Sequence, residues 1–524
     1  MRRSTRARLA SLLPLLLLSA VTAHAQRGRT ATVARPNIIY IMTDDHAAHA
    51  IGAYGSKVNT TPNIDRIARE GALLENVFAT NAICTPSRAV ILTGQYSHIN
   101  GVTVFNRFDS TRETVAQLLQ RGGYHTGMIG KWHLGSDPQG FDRWNILPGQ
   151  GVYHDPVFYT AQRETTYTGG YATNVITDLT LQFLEQRPRD KPFFVMMHHK
   201  APHRPWEPTD SNAAAFAHRH IPEPATLWDS YDTRTDALHE NQQRIANDLT
   251  NRDLKIPVPA GLTGADRARW QALKPDTVRT MLEGRMTTLT GTALVRWKYQ
   301  RYMQDYLATV QSVDESVGRV LRYLDANGLT RNTVVIYSSD QGFFLGDHGM
   351  FDKRFMYEES LRMPFVIRWP ARIRAGTRVN AMAINADFAP TFLDLAGLPP
   401  SPAMHGASLV PVLRGAKPAT WRTSMYYRYY HDPGDHNTRV HYGVRTMSHK
   451  LIHYWKKDQW ELFDLARDPF EMHNLYGQPG FAALTDSLKV ELQRVKRAAR
   501  DDDQLADVQL PNGVDGTVAR LRGR

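Results

Sequence analysis

The sequence predicts an α/β fold: a large, mostly parallel sheet with helices on both faces, plus a small α+β subdomain with an antiparallel sheet at the C-terminal end. Three observations lead there. Short apolar runs alternate with helix-like stretches from Pro36 to about Gly397, which is the pattern of βα units around a sheet covered on both sides. Pro399, Pro400 and Pro402 mark a joint, and beyond it come four short strand-like runs and one amphipathic stretch. The 524 residues are 42% hydrophobic and 22% charged, with one cysteine. That is globular composition, and it excludes a disordered chain, a collagen-like repeat and a disulfide-stapled mini-protein.

The first 25 residues read as an export signal. Arg2, Arg3, Arg6 and Arg8 precede a largely apolar run from Leu9 to Leu18, and Ala23-His24-Ala25 offers a small-x-small cleavage site. The run is too short to span a bilayer, and no later segment reads as a span. A periplasmic or secreted protein with no stable membrane anchor is expected. Losing the signal removes four arginines and no acid, which lowers the formal net charge from +12 to +8. A basic surface in that compartment suits anionic substrates such as acidic polysaccharides. Nucleic acid is not expected, because no basic run is interleaved with aromatics.

A catalytic domain is expected over residues 33–400. Its buried strands are placed at residues 37–42, 125–129, 193–197, 333–337 and 365–368, each a short apolar run. A long amphipathic helix over residues 294–324 stops at Asn327-Gly328. Residues 204–290 are polar, irregular and rich in Asp, Arg and Pro, and read as an insertion over the active-site face. The subdomain, residues 401–500, should hold strands at 426–430, 442–445, 450–454 and 460–464 and a helix over 482–500. Residues 501–524 are expected to fray.

In open α/β sheets, ligands lie beyond the carboxyl ends of the strands. Here one strand runs through Thr43 into Asp44 and Asp45, and another runs through Ser338-Ser339 into Asp340 and Gln341. Two more lead into Lys131-Trp132-His133 and into His198-His199-Lys200-Ala201-Pro202-His203. Adjacent carboxylates repel unless a cation lies between them. Three Asp and the Gln341 amide oxygen form an all-oxygen set, which suits Ca²⁺ or Mg²⁺ better than zinc. The sole cysteine, Cys84, precedes Pro86, a residue that fits the first turn of a helix. A tetrahedral anion beside residue 84 would meet both the positive end of that helix and Arg88 one turn on.

Cys84-Thr85-Pro86-Ser87-Arg88, trailed by Leu92-Thr93-Gly94, resembles the signature of the type I formylglycine sulfatases, whose fold is alkaline phosphatase-like. Its companions occur in order: Pro36 to Asp45, Gly130 to Gly135, Pro202-His203-Arg204-Pro205, Ser339-Asp340-Gln341-Gly342, Lys353 ahead of Tyr357-Glu358-Glu359, and Trp460 to Pro469. The resemblance implies that a formylglycine-generating or sulfatase-maturating enzyme oxidises Cys84 to formylglycine, whose hydrated form carries the nucleophilic oxygen. It implies one Ca²⁺ held by Asp44, Asp45, Asp340 and Gln341 and touching residue 84. Arg88 would orient the diol, and Lys131, His133, His203 and Lys353 would line the sulfate. His203 or Lys353 would protonate the leaving alcohol, and His133 would help to regenerate the aldehyde. Gln341 replaces the Asn or His common in relatives; it adds a methylene and keeps oxygen ligation.

The implied substrate is a sulfated carbohydrate, a glycosaminoglycan, mucin or algal fragment, with the N-acetylglucosamine-6-sulfatase-like members as the nearest kind. His348, Arg354, His431 and His441 are expected to contact it, with His436 and the tyrosines at 426, 427, 429 and 430 at the rim. Two alternatives follow. A phosphatase or phosphonate monoester hydrolase of the same superfamily would draw on Asp347-His348-Gly349 for zinc, but zinc hydrolases need several imidazole ligands and Gln341 follows Asp340. A non-catalytic glycan-binding relative would have no use for the complete set of Cys84, Arg88 and both acidic strand ends.

Overall fold

The computed structural model describes residues 35–506, so the expected export signal lies outside the described residues. In chain order the strands are β1 (Asn37–Thr43), β2 (Ala72–Phe78), β3 (His125–Lys131), β4 (Arg143–Leu147), β5 (Val157–Tyr159), β6 (Glu164–Thr166) and β7 (Phe193–His198). A hairpin, β8 (Val278–Leu282) and β9 (Arg285–Leu289), follows within the expected insertion. Then come β10 (Thr333–Ser339), β11 (Phe344–Leu345), β12 (Phe351–Asp352), β13 (Phe365–Arg368) and β14 (Thr377–Ile384). The last four are β15 (Ser424–Tyr429), β16 (His441–Thr446), β17 (His449–Tyr454) and β18 (Gln459–Asp464).

Ten strands form the large sheet in the order β14-β2-β13-β10-β1-β7-β3-β4-β5-β6. Its centre, β10-β1-β7-β3-β4, is parallel, and β13 runs against both of its neighbours. The fold class is therefore the one expected. β1 shows why: its side chains alternate between two cores. Ile38, Tyr40 and Met42 pack with Phe388 and Phe392 on one face, while Ile39 and Ile41 pack with Val313, Val317 and Val320 of the helix Gly291–Ala326 on the other. Only a strand buried on both faces can be apolar at every position in this way. The second sheet, β15-β16-β17-β18, is antiparallel and packs through Val444, Leu451 and Leu462 on Leu488, Leu492 and Val495 of the helix Ala482–Ala498.

All five strands expected in the large sheet are present. β2, β4 and β14 escaped the sequence reading because Glu75 and Asn76, Arg143 and Asn145, and Arg378 and Asn380 interrupt their apolar patterns. The segment 204–290 is more ordered than expected, since Trp206, Ile221, Leu227, Ile245 and Leu249 bury themselves against Tyr299, Tyr302 and Tyr306 of the long helix. The fraying expected from residue 501 does not begin there. Asp501 is buried, accepting from Tyr426 Oη at 2.6 Å and from Arg428 Nη1 at 2.8 Å; residues 507–524 lie outside the described residues. Among the described residues no helix is long and apolar enough to cross a membrane.

Candidate active site

β1 and β10 are parallel neighbours with Thr43 opposite Ser339, so Asp44-Asp45 and Asp340-Gln341 leave the sheet at the same level. The backbone N–H of Asp45 donates to Asp340 Oδ1 at 3.2 Å. On the far side of β7, β3 bends sharply at Gly130, whose φ is 105°. A Cβ at this position would lie 1.9 Å from the carbonyl oxygen of His198, so only glycine lets the chain deliver Lys131 into the site. The helix Cys84–Thr93 is buried along its whole length. Asp45, His133, Asp352 and Arg354 all hold left-handed backbone at φ 70°, 56°, 85° and 89°. Strain of about 1–3 kcal/mol per residue is kept only where the surroundings enforce it, and functional sites are where it gathers.

Three carboxylates and three cations converge here with almost no solvent contact: Asp44, Asp45 and Asp340 are 0–1% exposed, and Lys131, Lys353 and Arg88 are 0–3% exposed. Buried charges at this density persist only when paired. Lys131 Nζ donates to Asp44 Oδ2 and, at 2.5 Å, to Gln150 Oε1. Lys353 Nζ donates to both oxygens of Asp45 at 2.5 and 2.7 Å. Arg88 donates to Asp340 Oδ2 from Nε at 3.0 Å and from Nη2 at 2.9 Å, and to the Lys131 carbonyl at 2.6 Å. Burial acts to raise the Asp44 carboxyl, but the Lys131 and Arg88 charges outweigh it and hold the group well below the usual carboxylate range. Burial and the neighbouring Asp44 charge push Asp340 up, against Arg88. Lys353 stays charged, since Asp45 and Asp352 overcome the cost of its burial.

Two oxygens remain unspent. Asp44 Oδ1 and Gln341 Oε1 are buried and meet no hydrogen-bond donor, although Gln341 Nε2 donates to Asp45. Ligand atoms of Asp44, Asp45 and His203 lie within 4.8 Å of one another. Orphaned oxygens in an oxygen-dominated acidic cluster fit a hard cation. Asp340 and Cys84, which were expected to complete the ligand set, fall outside that 4.8 Å group. The oxygens of Asp340 are turned to Arg88 and to the Asp45 N–H.

His203 Nδ1 lies 2.6 Å from the Arg204 carbonyl, which requires the proton on Nδ1 and leaves Nε2 bare, 3.8 Å from Asp45 Oδ2. Burial and the nearby lysines hold its pKa well below the ordinary imidazole value. His133 Nδ1 is 3.1 Å from Thr85 Oγ1, inside the cysteine motif. Burial pushes the Cys84 thiol up, and the charges of Lys131, Asp44, Lys353 and Asp340 all reach it.

The expected substrate residues divide. Arg354 adjoins this cluster, donating to Asp352 and, at 3.2 Å, to Asp435; His436 Nε2 lies 3.0 Å from the same Asp352. His431 is buried just after β15. His441 and His348 are corrections. His441 is 0% exposed and stacks on Phe355 and Tyr427 at 5.8 and 5.5 Å, an imidazole used as a flat core ring. His348 is 1% exposed, with Nδ1 2.8 Å from Asp229 and its ring against Phe344 and Tyr357. Tyr426, Tyr427 and Tyr429 are likewise packing residues. Sequence reasoning missed Gln150, which lies in a Gly-Gln-Gly loop with no motif around it. It also missed Asn385, whose side chain donates to Ser87 Oγ at 2.9 Å. Asp352 could have been found as the acid beside Lys353.

A strand-end cluster of this composition on a doubly covered α/β sheet defines a class: the chain belongs to the sulfatase family, and it is a sulfuric ester hydrolase. The family model described as Sulfatase matches residues 36–398, and one described as N-sulphoglucosamine sulphohydrolase, C-terminal, matches residues 346–498. The chain is 46% identical over 516 residues to the N-acetylglucosamine-6-O-sulfatase of Bacteroides thetaiotaomicron, covering 94% of this chain and 91% of that protein. It superposes with a TM-score of 0.83 and 43% identity on a structure solved in complex with its substrate D-glucosamine-2-N,6-O-disulfate, covering 91% of this chain and 100% of the other. The phosphonate monoester hydrolase of Agrobacterium radiobacter, at 21% identity and a TM-score of 0.67 over 89% of this chain and 96% of its own, shares the fold alone.

Proposed function

We propose that this sulfatase removes the 6-O-sulfate from N-acetylglucosamine or a related glucosamine unit of a sulfated glycan, in the periplasm or outside the cell. The observation that carries the chemistry is the pairing of Arg88, Lys131 and Lys353 with Asp340, Asp44 and Asp45 around two orphaned buried oxygens, with Cys84 at the start of the helix that carries Arg88. The substrate class rests on the 46% identity that runs through 94% of the chain.

The Cys84-Thr85-Pro86-Ser87-Arg88 motif, at the start of a fully buried helix, supports conversion of Cys84 to formylglycine by a maturating enzyme. That group, hydrated, supplies a hydroxyl to attack sulfur. Asp44, Asp45, Gln341 and, on rotation, Asp340 would hold one Ca²⁺, which supplies Lewis-acid stabilisation of sulfate charge. Lys131 and Lys353 bring two fixed positive charges to the ester, at no cost of reorganisation when charge develops. Arg88, tied to Asp340 and to the Lys131 carbonyl, holds the helix that carries residue 84 in register with the metal strands. As the S–O bond to the sugar breaks, the departing alkoxide needs a proton. Lys353 Nζ, held charged on Asp45, carries the proton for it, while His203 Nε2, bare and facing the same carboxylate, is placed to exchange a proton with the alcohol oxygen. His133, oriented through Thr85, is placed to take the proton that releases sulfate from residue 84. Arg354, braced by Asp352 and Asp435, and His431 contact the sugar.

Mass spectrometry of the tryptic peptide Glu70 to Arg88, from protein made in its native host, tests the nucleophile. The aldehyde at residue 84 is expected, and a plain thiol in active protein overturns the mechanism. Desulfation of N-acetylglucosamine-6-sulfate tests the substrate; turnover of phosphate esters rescued by Zn²⁺ instead would put the phosphohydrolase reading first.

A further inference from the structure

We propose that the insertion carries a second, non-catalytic site, a groove that binds the extended chain of a sulfated polysaccharide; this rests on the glycan reading above. The groove lies between the β8-β9 hairpin and the first turns of the helix Gly291–Ala326, with a volume of about 890 Å³. Lys255, Arg279, Arg296 and Arg301 line it with Trp297 and Met281, and no Asp or Glu is among the described lining residues.

Four cations answer to two carboxylates beyond the groove wall. Arg296 pairs with Glu223 at 3.1 Å, while Arg301 and Lys255 share Asp305 at 3.2 and 3.7 Å. Arg279, on the exposed hairpin, forms no ion pair among the described residues. A low-dielectric wall with uncompensated positive charge concentrates polyanions. Aromatic and apolar surface accompanies the charge, as sugar faces require. Trp297, half-buried, lines the groove, and Met281 beside it is 57% exposed.

The walls are built before any ligand arrives. Gln300 exchanges two hydrogen bonds with Ile221, Gln304 donates to the Arg219 carbonyl at 3.0 Å, and Trp297 packs on Val278 and Leu289. A preformed groove loses little entropy on binding. It is also tied to the catalytic loop. Lys255 Nζ donates to the Pro205 carbonyl at 2.5 Å, and Arg204, whose carbonyl holds His203, pairs with Asp253 at 2.7 Å. The wall of the groove is thereby joined by hydrogen bonds to the segment that carries His203. An enzyme acting on one residue of a polymer gains effective concentration when it grips the rest of the chain.

The test compares Arg279→Glu with the double variant Arg279→Glu/Arg296→Ala in the full protein, checking the fold by circular dichroism. The probes are a heparin octasaccharide, a single-stranded DNA oligomer of matched charge, and the monosaccharide N-acetylglucosamine-6-sulfate. The expected result is that octasaccharide binding weakens about tenfold in the double variant, with a shallower salt dependence. Monosaccharide kcat/KM should stay within about twofold, because the charge removed lies outside the catalytic pocket. Unchanged octasaccharide affinity overturns the proposal, as does DNA binding as tightly with the same loss. Loss of monosaccharide turnover in a folded variant also overturns it, because the groove would then not be a separate site. A wild-type protein that grips the octasaccharide through these residues but leaves the monosaccharide sulfated keeps the groove and removes the substrate reading instead.

Discussion

Among the described residues two clusters of buried charge stand in contrast, and only one of the pair reads as a reaction centre. At the strand ends, Asp44, Asp45 and Asp340 meet Lys131, Lys353 and Arg88. Where the second sheet joins the first, Glu461, Glu471 and Lys450, just as deeply buried, meet Arg445 and a half-buried Glu358. There Lys450 Nζ is 2.6 Å from Glu471 and 3.1 Å from Glu358. Glu471 Oε2 accepts the Glu358 N–H at 2.8 Å, and Glu461 accepts from Thr235 and Tyr357 at 2.9 Å. The donors come from across the junction between the two sheets, so the ions act as cement. There Glu471 Oε1 lacks a hydrogen-bond donor but faces the Lys450 ammonium, whereas in the strand-end cluster Asp44 Oδ1 and Gln341 Oε1 have no donor and the cations on Asp44 sit on Oδ2 instead. Buried charge does not by itself mark a site; buried charge with unspent oxygens does.

Substituting one member of each cluster separates the two roles. Asp45→Asn keeps the shape and removes a metal-facing charge; kcat/KM is expected to fall at least about a thousandfold, roughly 4 kcal/mol of transition-state stabilisation, with a smaller change in the urea midpoint. Lys450→Met leaves Glu471 without its cation and Glu358 with Arg445 alone, and breaking a buried pair costs about 3–5 kcal/mol. Its midpoint should drop steeply while the folded fraction keeps its kcat. If Asp45→Asn destabilised the fold as much as Lys450→Met, the distinction between site and cement would fail.

The same contrast explains what the sequence could reveal. The strand-end cluster was legible because its residues fall at the ends of apolar runs, where backbone direction alone decides what can meet. β1 and β10 could be read as buried strands from Ile38-Ile39-Tyr40-Ile41 and Val334-Val335-Ile336-Tyr337, so Asp44 and Asp340 followed. His348 and His441 were misplaced because an imidazole carries no mark of whether it will face a sugar or stack in a core. Only tertiary packing, Phe355 and Tyr427 around His441 and Asp229 beneath His348, settles that. Gln150 and Asn385 hold site residues from loops, through contacts far apart in sequence, and no local pattern announces such partners.

The junction between the sheets also contains a titrating group. Burial pushes Glu359 up to about 7, and the charges of Asp347 and Glu471 add to this, against His348. A carboxyl raised in the folded state contributes stability that is complete below about pH 4.5 and is lost as pH rises through 7. His348, raised chiefly by Asp229 and Glu359 despite its burial, loses its contribution in the same direction. Between pH 5 and 8 the urea midpoint of the wild type should therefore fall relative to that of Glu359→Gln, by on the order of 1–2 kcal/mol. Parallel pH profiles for the two proteins would show that Glu359 titrates normally.

The smallest expected effect tests the finest point of the comparison, whether the second unspent oxygen is a ligand. Gln341 does two things: its Nε2 donates to Asp45, and its Oε1 is left bare and buried. Gln341→Asn draws that oxygen back by one methylene, about 1.5 Å, and loosens the bond to Asp45 without changing charge. If Oε1 ligates calcium, the Ca²⁺ concentration that half-restores activity after chelation should rise about tenfold, near 1.4 kcal/mol. At saturating calcium kcat should be unchanged, because Lys131 and Lys353, the cations proposed to face the sulfate, are untouched. An unaltered calcium titration would return Gln341 to the cement, an amide that braces Asp45. A kcat that stays low at saturating calcium would instead show that this amide also sets the position of the Asp45–Lys353 pair on which the leaving alcohol depends.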